Sequence, residues 1–194
     1  REGDLMNSTL LVYQAKSFYN AYIALDQLSR DDSDTLLLLF APLVVNGAFS
    51  AELALKAILA KNQIEYGKEH NLLILFQMLP KSFQQELWAY LIEKAPEYAG
   101  SEKGLDELIL LSNAFVDWRY AFEGKPVPAI ESRFLAAFAN AAVHTMFSYY
   151  NADLLPATKT ESNNEIEQRF HENREKCKEI NLKMIQKKTK EHQL

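Results

Sequence analysis

The sequence predicts an all-α protein, an up-and-down helical bundle of about six helices, and three observations carry that prediction. Apolar residues recur at three- and four-residue steps through every long segment. Six prolines and six glycines fall almost entirely between those segments, which is how a helical chain is punctuated. No run alternates at period two, and no Asn-Gly or Asp-Gly pair joins β-branched stretches, so nothing signals a hairpin. With 194 residues, 48% of them hydrophobic and 24% charged, the chain has enough apolar material for one well-buried domain and an appendage.

Taken in order, Ser8 is placed to cap a first helix to about residue 27, with Leu11, Ala15, Phe18, Tyr22 and Leu25 as its apolar stripe. The Asp-rich run 31–34 ends it. A second helix is expected from before or around Pro42, a residue suited to a first turn, to about residue 61, followed by a connection over 62–69. His70 and Asn71 open a short apolar helix that Pro80 stops, and Ser82 is placed to cap another over 83–94. A loop holding Pro96, Gly100 and Gly104 precedes one helix from 105 to about 123. Gly124, Pro126 and Pro128 then make a sharp stop, and a last core helix runs over 129–151.

Charge divides the chain into a helical bundle over 1–155 and a linker with a charged helical tail over 156–194. The first part holds 12 basic and 19 acidic side chains, the second nine and seven. Residues 158–164 read as the linker. Beyond it Ile166, Phe170, Asn173, Cys177, Ile180, Met184 and Lys187 alternate steps of four and three, a weak heptad seam. A helix over about 165–190 is therefore a surface for a protein partner, or a charged helix lying on its own bundle.

Composition also narrows the function. A formal charge of −5 excludes a nucleic-acid binder whose whole surface is basic, while leaving room for a local basic patch. A single cysteine, Cys177, forms no intramolecular disulfide and suits the reducing cytoplasm. The chain opens on Arg1 without a basic and apolar leader, which reads as a trimmed start. The apolar run 35–49 is shorter than the roughly 20 residues of a membrane span and holds Pro42 and Asn46, so no membrane partner is expected.

Cofactor and metal signatures are absent from the sequence: it has no Gly-rich phosphate loop, no H-E-x-x-H, and no cysteine pair. His70, His144, His171 and His192 are too far apart for two to ligate a metal from one helix. No cofactor and no metal is predicted. His144 stands among Ala141, Ala142, Val143 and Met146 and reads as a hydrogen-bonded core residue.

Two groups of charges remain. Within the apolar run 43–60 only Glu52 and Lys56 are charged, four residues apart and so on one helical face. On a solvated strip such a pair contributes a few tenths of a kcal/mol; inside, each ion carries a desolvation penalty of several kcal/mol. The second group is Phe115-Val116-Asp117-Trp118-Arg119-Tyr120-Ala121-Phe122-Glu123. An arginine among aromatics near a helix end suits a phosphate or carboxylate, because its fork donates in pairs and never loses its charge. It equally suits an ion pair with Glu123 or Asp117.

Taken together, the segment from Gly47 to Ala57 with its Glu52-Leu53-Ala54-Leu55-Lys56, His70-Asn71-Leu72-Leu73-Ile74-Leu75-Phe76, and Trp118-Arg119-Tyr120 onward to Glu123 resemble the HEPN domain family in kind and order. The resemblance spans roughly residues 10–152. It implies an up-and-down bundle that often forms homodimers, and a task tied to RNA or nucleotides, frequently in defence or toxin–antitoxin systems. Many members are metal-independent ribonucleases, and others are binding or regulatory partners. In the catalytic members an arginine is followed after four to six residues by a histidine. Arg119 matches the arginine, but Gly124, Lys125 and Pro126 stand where the histidine belongs, and Tyr120 replaces a small or polar residue.

The leading reading is thus a binding or regulatory module without nuclease activity that holds RNA or nucleotide phosphate at Arg119. A divergent ribonuclease using Arg119 with Tyr120 or His70 as proton-transfer group is the second, and a protein-interaction bundle the third. Tyr120 also serves as a stacking platform for a base. The resemblance further implies a polar network of Glu52, Lys56, Arg119, Glu123, Asp117 and His70, with Glu52 bonded to Arg119 and Lys56 to Glu123 or Asp117 across two helices.

Overall fold

A computed structural model describes residues 2–30, 33–123 and 127–150, together with Glu175, Lys178, Glu179 and Lys183. Two compact units divide the chain, Arg1–Leu154 and Leu155–Leu194. In the first, the described residues form seven α-helices and two short 3-10 turns and no strand: α1 (Glu2–Ser29), α2 (Ser33–Lys61), α3 (Leu72–Met78), α4 (Lys81–Lys94), α5 (Ser101–Leu111), α6 (Ala114–Arg119) and α7 (Ser132–Tyr150). In the second, the four described residues are helical. There Lys178 Nζ donates to Glu175 Oε1 at 2.6 Å and Lys183 Nζ to Glu179 Oε1 at 2.7 Å. The linker over 158–164 and the heptad seam lie outside the described residues, as does the 165–190 partner helix apart from these four.

α2 is the hub, touching α1, α3, α6 and α7. Residues 51–59 are all buried, with Leu55, Ile58 and Leu59 fully so, because neighbouring helices cover every side of that stretch. Small residues let them close in. A Cβ on Gly47 would stand 3.0 Å from Tyr22 Cδ2 and 3.1 Å from Leu135 Cδ1, tighter than ordinary van der Waals contact, so a larger residue there would push these side chains of α1 and α7 aside. By length and composition Leu38–Lys61 is apolar enough to cross a membrane, with mean hydropathy 1.7, a longer stretch than the 35–49 run read from the sequence. Much of it is instead covered by the protein's own helices.

Several boundaries differ from the sequence reading, each for a local reason. Ser8 lies inside α1 and is buried there rather than capping it. Pro42 lies well inside α2, which begins at Ser33; the ring removes one helical hydrogen bond, and Asn46 Nδ2 donates to the Pro42 carbonyl at 2.7 Å. α2 ends where Gln63 turns left-handed at φ 58, and Ile64 N–H reaches back to the Leu59 carbonyl at 3.0 Å, a helix-terminating geometry. Asn71, read with His70 as opening this helix, caps α3, its Oδ1 accepting from Ile74 N–H at 3.0 Å. Ser82 is inside α4, whose cap position is Pro80.

The helix expected over 105–123 is two helices. α5 starts earlier, at Ser101, and breaks at 112–113. Here the Ser112 carbonyl accepts from Leu72 N–H of α3 at 2.8 Å instead of from its own helix, while Ser112 Oγ donates back to Ile109 O at 2.7 Å. Asn113, at φ −110 and ψ 12, starts α6 afresh. A tertiary hydrogen bond has replaced a helical one, and the redirected α6 carries Phe115 and Arg119 toward the start of α3.

Candidate functional site

The site lies where the loop before α3 meets α6. Glu69 organises that loop: its Oε1 accepts from His70 N–H at 2.9 Å and from Asn71 N–H at 2.7 Å. Asn71 Nδ2 donates to Asn113 Oδ1 at 3.1 Å, and with the Leu72–Ser112 bond this fastens the loop to the head of α6. The His70 side chain is therefore held in register with Phe115 and Arg119 by backbone bonds on both flanks.

Inside, Glu52 and Lys56 of α2 form a buried ion pair, with Lys56 Nζ 2.7 Å from Glu52 Oε1. Glu52 is 1% exposed and Lys56 7%. The same Oε1 receives His70 Nδ1 at 2.9 Å. An ionised carboxylate can only accept, so Nδ1 carries the proton and Nε2 is left as the acceptor of the neutral ring. Glu52 thus selects the tautomer and orientation of a histidine whose side chain is 48% exposed. Glu52 Oε2 is buried and has no hydrogen-bond partner among the described residues. Lys56 also lies over the Tyr66 ring, 5.4 Å from its centre, and burial pushes the Tyr66 phenol above its ordinary range.

Phe115 joins the inner cluster to the surface. Phe49 stacks on it at 4.3 Å, the His70 ring tilts against it at 6.1 Å, and the Arg119 guanidinium lies 4.7 Å from its centre. Arg119 is exposed, lies 4.6 Å from the Tyr120 ring as well, and donates from Nη2 to the Tyr120 hydroxyl at 3.0 Å. No carboxylate among the described residues pairs with it. Stacking between two rings holds the fork, while its remaining N–H groups stay available to an anion.

The network drawn from the resemblance is corrected in its pairings. Glu52 bonds Lys56 and His70, not Arg119, and Lys56 bonds Glu52 of its own helix, not Glu123 or Asp117. The physical reason is the break at 112–113. α6 is only six residues long, and it presents Phe115, rather than Arg119, to the interior. Because α6 ends at Arg119, Glu123 falls in a 3-10 turn and is not its helical neighbour. Asp117 is half-buried in α6 and makes no ion pair with a described residue. His144 is exposed, not a core residue, and stacks on Tyr90 at 3.8 Å. Phe115 as the ring common to His70 and Arg119 was not read from the sequence. Its position four residues before Arg119, one helical turn, was the available signal. Among the described residues no three His, Cys, Asp or Glu side chains converge as metal ligands would.

The fold and the site define the class: an all-α bundle whose central helix carries a buried Glu–Lys pair, with a histidine and an exposed arginine on one aromatic ring. Residues 43–125 match the family model of the HEPN domain. Every residue of the network lies within the match. No curated protein and no solved structure matches the chain.

Proposed function

We propose that the protein is an RNA-associated HEPN module that holds RNA or nucleotide phosphate at Arg119, with Tyr120 as a stacking surface for a base. The observation that supports this is the exposed guanidinium, stacked between Phe115 and Tyr120 and paired with no described carboxylate. A phosphate gains paired hydrogen bonds there without displacing an acid. A base stacked on the 40% exposed Tyr120 ring adds a sequence-tolerant contribution of about 1–3 kcal/mol. The same reading takes the working form to be a homodimer, to act in the cytoplasm and, through its C-terminal segment, to engage a protein partner. The test is titration of a short single-stranded RNA at several salt concentrations. Binding should weaken as salt rises and fall on Arg119→Ala, and an undiminished affinity in that variant would defeat the proposal.

One observation favours the second reading, a metal-independent ribonuclease. His70, oriented by Glu52, shares Phe115 with Arg119, which supplies an imidazole to a groove whose expected histidine is missing after Arg119. In such a reaction His70 takes the 2′-hydroxyl proton as the 2′-oxygen attacks phosphorus. Arg119 steadies the phosphorane, and the departing 5′-oxygen takes a proton from water. Cleavage of labelled RNA in the presence of chelator, lost in His70→Ala and Arg119→Ala and kept in Tyr120→Phe, would select this reading. Intact RNA under those conditions selects the binding module.

A further inference from the structure

A second feature lies elsewhere in the bundle. α1, the C-terminal end of α4 and the first half of α7 enclose an open cavity of about 250 Å³, and no residue of the Arg119 site lines it. Its floor is apolar, formed by Ile23, Ala95, Ala136 and Ala137. Two hydrogen-bonding side chains, Tyr22 and Asn140, and the carboxylate of Asp26 stand on its wall. Tyr22 is only 2% exposed. Burial first, then the nearby Asp26, push its phenol upward, so it stays a neutral donor throughout the physiological range. Tyr19 stacks beside it at 6.1 Å and completes an aromatic wall.

Three cations ring the opening: Arg30, Lys94 and Arg133. Each rests on a carboxylate, Arg30 on Asp26, which itself lines the cavity, and Lys94 on Glu93 and Arg133 on Glu97, which do not. The cationic side chains are 74%, 45% and 68% exposed, and exposed pairs of this kind are worth at most about 1 kcal/mol. Their hold on the three cations is weak enough for an incoming anion to share or replace. The two guanidinium forks match phosphate and carboxylate equally well. The volume is below the roughly 300–1,000 Å³ of pockets for drug-sized ligands, which limits the occupant to a small molecule. An aromatic wall, two hydrogen-bonding side chains and a cationic rim together describe one kind of ligand.

We propose that this cavity binds a small organic anion with a planar body, a phosphomonoester or a carboxylate, its charged head on Arg30, Lys94 and Arg133 and its body against Tyr19 and Tyr22. Phenyl phosphate and benzoate are suitable probes, with inorganic phosphate as the head group alone, each titrated into the whole 194-residue chain by calorimetry. Saturable binding of phenyl phosphate or benzoate is expected, and the tighter of the two identifies the head group. Arg133→Ala should weaken it about tenfold or more, the worth of one charge-assisted hydrogen bond. Tyr22→Phe should weaken it severalfold, while Arg119→Ala should leave it unchanged. The exposed Arg133 variant keeps the test valid should Tyr22→Phe fail to fold. No saturable binding of either aromatic probe overturns the proposal. So does binding that survives Arg133→Ala, binding that disappears in Arg119→Ala, or inorganic phosphate binding as tightly as phenyl phosphate.

Discussion

Replacing Glu52 with Gln keeps the side chain's shape and removes its charge, leaving the Lys56 ammonium buried at 7% exposure with no counter-ion on its own helix. Removing one member of a buried ion pair typically destabilises by about 3–5 kcal/mol, because the surviving charge keeps its desolvation penalty and loses the attraction that offset it. Lys56→Met inverts the situation. Glu52, 1% exposed, then keeps only its hydrogen bond with His70 2.9 Å away and has no cation left on its own helix. The double variant, with no buried charge left, should be at least as stable as the weaker single variant, a coupling of opposite sign to simple addition. Urea denaturation of the wild type, both single variants and the double variant measures all of this. Losses below about 1 kcal/mol in both single variants are the signature of an exposed pair and would refute the reasoning.

Two further outcomes follow from the packing. Leu55→Ala, at a fully buried position of α2, should cost about 2–5 kcal/mol through lost transfer energy and the cavity left behind, read from the same denaturation curves. Burial raises the phenols of Tyr19, Tyr22, Tyr66, Tyr98 and Tyr150. The folded state then holds those protons more tightly than the unfolded chain, so the stability they add is complete below pH about 10 and declines as pH rises beyond it. Tyrosinate absorbance followed with helicity should show these phenols ionising together with unfolding; ionisation of all tyrosines with helicity intact would contradict it.

What the chain determines by itself is its local and periodic structure. The spacing of Leu11, Ala15, Phe18 and Tyr22 decides that α1 is a helix and which face is buried, and the run around Leu55 decides that α2 is central, because these depend on 3.6-residue geometry and hydrophobicity alone. Asn71 as a cap is legible for the same reason, since its partner is three residues away. The likeness of three short segments to the HEPN family was also carried in the order of residues. Other facts required partners distant in sequence. Ser112 and Leu72 are 40 positions apart, and only their hydrogen bond explains why the expected 105–123 helix breaks, why Arg119 is carried outward, and why Glu52 meets His70 instead. Charge spacing alone could pair Glu52 with Lys56 but not choose its third partner. The cavity behind Tyr22 is likewise tertiary, since it joins residues of α1, α4 and α7 that share no local pattern. Helix periodicity sets which way a side chain leaves its own helix, but the bonds between helices set what it meets there.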